Sequence, residues 1–167
     1  MMPNDEKFSQ KLNVLVGKKL QSITRTCELV CFGFEKISTI KKYDKKEARF
    51  PEYVLHNQCP FRITYKNQIL LGSSDLYMSS QTDTLTVDLD KQNVCCFDNK
   101  SQDILTKFND EYITKISLGT FNDLEIKTTN LKITFFVCDT EYESWRFFKK
   151  NSEERHIVVD ERGISLD

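Results

Sequence analysis

The chain has 167 residues and a mass of 19.6 kDa, is 39% hydrophobic and 29% charged, and sets 24 Lys+Arg against 25 Asp+Glu for a net charge of -1. That length suits one domain, residues 1–167, able to bury about 70% of its surface, and the composition excludes disordered, collagenous and low-complexity classes. The even charge balance lacks the basic surplus of most nucleic-acid binders, and no apolar run is long enough to span a membrane as a helix.

In chain order, Phe8, Leu12, Leu15 and Val16 recur at helical spacing ahead of Gly17, which predicts a short amphipathic helix over 5–16. Its charges are scattered, without the apolar run of a secretory signal, so a cytoplasmic location is expected. In that compartment Cys27, Cys31, Cys59, Cys95, Cys96 and Cys138 are expected as free thiols. Residues 23–26 and 27–35 read as strands, rich in residues that suit a pleated surface. Lys36, Lys41, Lys42, Lys45, Lys46 and Arg49 then crowd one segment, expected to be an exposed loop or hairpin tip.

Strands are predicted at 53–57 and 61–65, broken at Pro60, with a further apolar piece at 69–71. Residues 72–84, rich in Ser, Thr and Asp, read as a loop, and the alternation of Leu85, Val87 and Leu89 predicts a half-buried strand. A second helix is expected over 101–109, with Ser101 as its cap and Ile104, Leu105 and Phe108 on one face. Strands at 112–118, 124–128 and 131–138 follow, joined by hairpin-length turns, then 145–149 and 156–159, with Gly163 turning into a tail.

The expected fold class is therefore α+β, mainly antiparallel sheet with two short helices. The order of elements suggests a weak internal duplication, with halves at about 5–98 and 101–162. Phe8/Leu12 align with Ile104/Phe108, Leu20/Ile23 with Ile113/Ile116, and Phe61-Arg62-Ile63 with Trp145-Arg146-Phe147.

Catalytic arrangements are sparse. His56 and Cys59 stand three apart, which on a strand places them on opposite faces unless Pro60 bends the chain. Cys27 and Cys31 are too far apart along a strand to hold one zinc ion, Cys95 and Cys96 point oppositely, and no CxxC pair or phosphate loop occurs, so neither metal nor cofactor is expected. The basic segment has only Tyr43 and Phe50 as stacking aromatics, which makes nucleic acid an unfavoured partner. Arg62 and Arg146 each follow a large ring, Phe61 and Trp145, a pairing that suits either an anchor for an acidic partner or a buried lock between the halves.

The words Leu55-His56-Asn57-Gln58-Cys59-Pro60-Phe61-Arg62, Gly72-Ser73-Ser74-Asp75 and Glu143-Ser144-Trp145-Arg146 resemble those of a family of small bacterial proteins. That resemblance implies no established activity, though some family members accompany toxin systems as presumed immunity proteins. The lysine-rich insertion after Glu35 departs from the family pattern. The expectation is a non-enzymatic, cytosolic, immunity-like module that binds a protein partner, with His56, Cys59, Arg62, Asp75, Trp145 and Arg146 as candidate binding residues. The alternative is a small-ligand binder or enzyme built on His56, Cys59, Arg62 and Asp75, which cluster around predicted turns.

Overall fold

The computed structural model describes residues 3–35, 38–41, 47–81 and 86–167. It is an α+β structure of two α-helices and mainly antiparallel sheet. Helix α1 (Pro3–Leu12) gives way at Asn13–Leu15 to one 3-10 turn, and Gly17, at φ +83°, ends the segment in the left-handed conformation that glycine tolerates. Phe8, Leu12 and Leu15 are buried, as their spacing requires.

Strands β1 (Leu20–Thr26) and β2 (Leu29–Phe34) form a hairpin. The second expected strand starts at Leu29 rather than Cys27, because Cys27, at φ +51°, and Glu28 make the reversal. Within the lysine-rich segment, β3 (Ser38–Lys41) pairs with β4 (Glu47–Phe50), while 36–37 and 42–46 lie outside the described residues. Next come β5 (Tyr53–Asn57), β6 (Phe61–Tyr65), β7 (Gln68–Gly72) and a 3-10 turn at Ser73–Tyr77.

Two expectations fail in the middle of the chain. Leu85 lies outside the described residues, and Val87 to Leu89 form no strand. The carbonyls of Leu89 and Lys91 accept hydrogen bonds from the Arg25 guanidinium instead of from a neighbouring strand. Helix α2 (Cys96–Lys107) starts five residues before the expected cap, because the Asp98 carboxylate accepts the N–H groups of Val94 and Cys95. Ser101 is buried within the helix, donating its hydroxyl to the Asp98 carbonyl at 3.0 Å. Strands β8 (Ile113–Leu118), β9 (Leu124–Thr128), β10 (Leu131–Phe135), β11 (Trp145–Lys149) and β12 (Ile157–Asp160) follow. The expected tail after Gly163 is instead strand β13 (Gly163–Leu166).

One sheet runs β1-β2-β5-β11-β12-β13 and the other β7-β6-β10-β9-β8. Each half of the chain traces one path: a helix, a three-stranded meander in one sheet, then a hairpin that crosses to the other. β1-β2-β5 cross through β6-β7, and β8-β9-β10 cross through β11-β12. The registers follow suit, since β1 shifts between Leu20 and Ser22 and β8 between Ile113 and Lys115. Where the two paths meet, Leu20 N–H donates to the Glu111 carbonyl and Ile113 N–H to the Lys18 carbonyl, both at 2.9 Å. The helices are exchanged as well, α1 packing on β8 and α2 on β1.

The exchange makes one core out of two faces neither half could cover alone. Phe32 of β2 meets Phe61 and Phe135 of the opposite sheet edge-on, at 5.6 and 5.1 Å between ring centroids. Each fully buried ring contributes about 1.5–3 kcal/mol by leaving water, and edge-to-face pairs add about 0.5–1.5 kcal/mol. Trp145, the single tryptophan, is fully buried and donates its indole N–H to the Asn122 carbonyl at 3.1 Å.

Candidate functional site

The four residues of the alternative site occupy four surroundings. His56 lies on the outer face of the six-stranded sheet, in register with Cys31 and Arg146 and edge-on to the Phe148 ring at 5.0 Å. Cys59 is buried beneath the crossing from β5 to β6, its thiol donating to Asn57 Oδ1 at 3.0 Å. Asn57, the neighbour of His56 on the strand, points inward and takes the place that a catalytic base would need. Burial first, then the nearby charges of Cys138 and Asp139, push the Cys59 thiol up to about 12, far from a nucleophile at neutral pH.

Arg62 is exposed on the outer face of the five-stranded sheet, its guanidinium 5.1 Å from the centroid of the Phe136 ring. Asp75 is buried, accepting Gly72 N–H at 2.9 Å and the Lys100 ammonium at 2.6 Å, so it fastens the 3-10 turn to α2. Cys59 alone of the four borders the cavity of about 260 Å³ at the loop end of the sheets, among Glu28, Pro60, Phe61 and Tyr77.

The Trp145-Arg146 pair does gather a site. Alternation along β11 buries Trp145 and Phe147 and turns Arg146 and Phe148 outward. Arg146 grips Glu143 through Nε and Nη2, at 3.0 and 2.8 Å. Its Nη1 reaches Asp167 at 3.2 Å and His156 Nδ1 at 3.2 Å. Both histidines of the chain flank the Phe148 ring, His156 stacked at 4.6 Å and His56 edge-on. Burial, aided by the positive Arg146 and Lys150 and opposed by Glu143, lowers the His56 pKa.

Beside this cluster the outer surfaces of β11, β12 and β13 form a concavity of about 540 Å³. Its carboxylates are Glu143, Asp160, Glu161 and Asp167, against the guanidinium groups of Arg146 and Arg162. Both arginines are already engaged, Arg146 as above and Arg162 with Asp160 at 2.6 Å and Glu161 at 3.6 Å. The surface is therefore a concave, net-negative patch, suited to cationic groups.

The buried Arg–carboxylate lock is elsewhere, at Arg25 and Asp98, where it ties β1 to α2. Arg25 Nε and Nη2 each meet an Asp98 oxygen at 2.8 Å, and its remaining N–H groups go to the carbonyls of Cys27, Leu89 and Lys91. All five guanidinium donors are thereby satisfied in a buried site. The signal was visible in Leu20-Gln21-Ser22-Ile23-Thr24-Arg25, where Arg25 falls on the inward face with Ile23. Another buried carboxylate, Glu111, accepts the Asn130 and Leu131 N–H groups and the Thr128 hydroxyl, and no pattern in the sequence marks it.

Among the described residues no group of three or more His, Cys, Asp or Glu is placed to hold a metal ion, and no helix is long and apolar enough to cross a membrane. Comparison of the chain with protein families, with curated proteins and with solved structures finds no match.

Proposed function

We propose that the protein is a non-enzymatic binding module that recognises a protein partner through the outer face of the six-stranded sheet. The observation that carries this reading is the concavity of β11–β13, whose four carboxylates outnumber two arginines already neutralised by them. A partner presenting Lys or Arg side chains gains attraction there without displacing an internal cation. The immunity-like role implied by the Leu55–Arg62, Gly72–Asp75 and Glu143–Arg146 words is one instance of such recognition. The placing of His56, Cys59, Arg62 and Asp75 in four different surroundings disfavours a shared catalytic or ligand site.

The test is gentle purification at low salt followed by native mass spectrometry of the complex. The wild type and a Lys115→Glu control on the other sheet are expected to retain a co-purifying polypeptide. The double variant Glu161→Lys/Asp167→Lys is expected to lose at least nine-tenths of it while keeping wild-type Trp145 fluorescence. Equal retention by the double variant, or no co-purifying polypeptide with any of them, overturns the proposal.

A further inference from the structure

The concavity ends at β13, the outermost strand of the six-stranded sheet, beyond which no strand lies among the described residues. Elsewhere the helices attend to the sheet edges, α2 packing on β1 and β7 and α1 on β8. The phase of β13 follows from its end, where His156 and Asp167 exchange two N–H···O bonds at 2.9 Å. In an antiparallel pair such exchanges recur at every second residue, so Val158/Ser165 and Asp160/Gly163 are the bonded pairs. Ile164 and Leu166 therefore turn their N–H and C=O groups away from β12. Arg155 Nη2 donates to the Leu166 carbonyl at 2.7 Å, as this phase requires.

The outward groups of Ile164 and the Leu166 N–H form a template for one more strand. The sequence Gly163-Ile164-Ser165-Leu166 carries no Pro and no charge, the devices that usually block such an edge. Because the strand is short, the backbone supplies few bonds and side chains must supply the rest. Ile164 and Leu166 pack on the core side, so an added strand there presents apolar residues. Ser165 and Asp167 lie on the outer side, beside the carboxylates of Glu143 and Glu161, so there it presents cationic residues.

We infer that β13 accepts an extended segment of the partner protein in which apolar residues alternate with Lys or Arg, adding it as a seventh strand. The inference rests on the protein-binding reading above and specifies its partner. A second copy of this chain fits less well, since pairing β13 with itself brings two net-negative concavities together.

The probe is an end-blocked decapeptide of alternating Lys and Val, followed by fluorescence anisotropy at low salt. Its valines lie on the core side, at the positions whose N–H groups face β13. Methylating the valine amides is expected to weaken binding at least tenfold, whereas methylating the lysine amides leaves it within about threefold. Ile164→Pro is expected to cost a similar tenfold, and its fold should survive because the lost N–H makes no ladder bond. Equal binding by all three peptides to the wild type, no binding up to millimolar peptide, or a dimer formed through β13 in sedimentation overturns the inference. These failures are distinct from those of the broader reading. A co-purified partner that is lost on charge reversal yet held by folded Ile164→Pro removes strand addition alone.

Discussion

Asp98→Asn tests the buried lock between β1 and α2. The change keeps the size of the side chain, removes its charge and turns amide donors toward a guanidinium that has none to accept. Arg25 stays buried with a positive charge balanced only by three carbonyls. Removing one partner of such a pair costs about 3–5 kcal/mol, a large share of the roughly 5–15 kcal/mol that holds a domain together. For a chain of this size that lowers Tm by about 6–20 °C. The pH dependence gives an independent measure. Burial raises the Asp98 pKa, but the hydrogen bonds from Arg25 and Cys95 outweigh it and bring the carboxyl down to about 2, from the usual 3.8. A depressed carboxylate contributes stability above its unfolded pKa and loses it as pH falls through the folded one. About 2 kcal/mol is therefore lost between pH near 4 and pH near 2, less than on mutation because protonated Asp98 still accepts a hydrogen bond. Urea unfolding followed by Trp145 fluorescence reads both effects, since that ring is fully buried and unique. The double variant Arg25→Met/Asp98→Leu should recover part of the loss, limited by the carbonyls left without a donor. A cost under 1 kcal/mol for Asp98→Asn, with the acid slope unchanged, would refute the reasoning.

Three further outcomes are expected. Iodoacetamide should modify exposed Cys138 in the folded protein while Cys59, with about a thousandfold less thiolate than an ordinary cysteine, stays intact; comparable rates by peptide mass mapping would contradict the buried thiol. Gly33→Ala should destabilise by about 1–3 kcal/mol in urea, because its new Cβ would stand 2.7 Å from Pro51 Cγ and also strike Ser22 Oγ; unchanged stability would show that Pro51 yields freely. Because the His56 pKa lies below its unfolded value, its contribution is present above about pH 6.5 and falls away as pH drops through the folded pKa. His56→Leu should flatten that part of the stability profile, and an unaltered slope would assign the effect to another group.

Local periodicity made much of the architecture legible. Phe8/Leu12/Leu15 and Leu131/Ile133/Phe135 announce their elements because burial on one face imposes a period of 3.6 or 2. The alignment of Leu20/Ile23 with Ile113/Ile116 and of Phe61 with Trp145 picks out residues at matching points of two similar strand paths. Alternation misleads at Val87–Leu89, where the Leu89 carbonyl serves Arg25, and the expected cap at Ser101 gives way to Asp98. Proximity in sequence was a poor guide to the site. His56, Cys59, Arg62 and Asp75 sit within twenty residues, yet a sheet alternates its faces and the chain changes sheets at Pro60.

By itself the sequence determined the class of the fold, the placing of most elements and the identity of most core residues, because these follow from the polarity of near neighbours. Tertiary structure alone decided that each helix covers the other half's meander, that Arg25 finds Asp98, and that Glu143, Asp160, Glu161 and Asp167 share one concavity ending at β13. Those outcomes depend on contacts between segments tens of residues apart. A single chain specifies them through the packing of its whole core, and no local pattern encodes them.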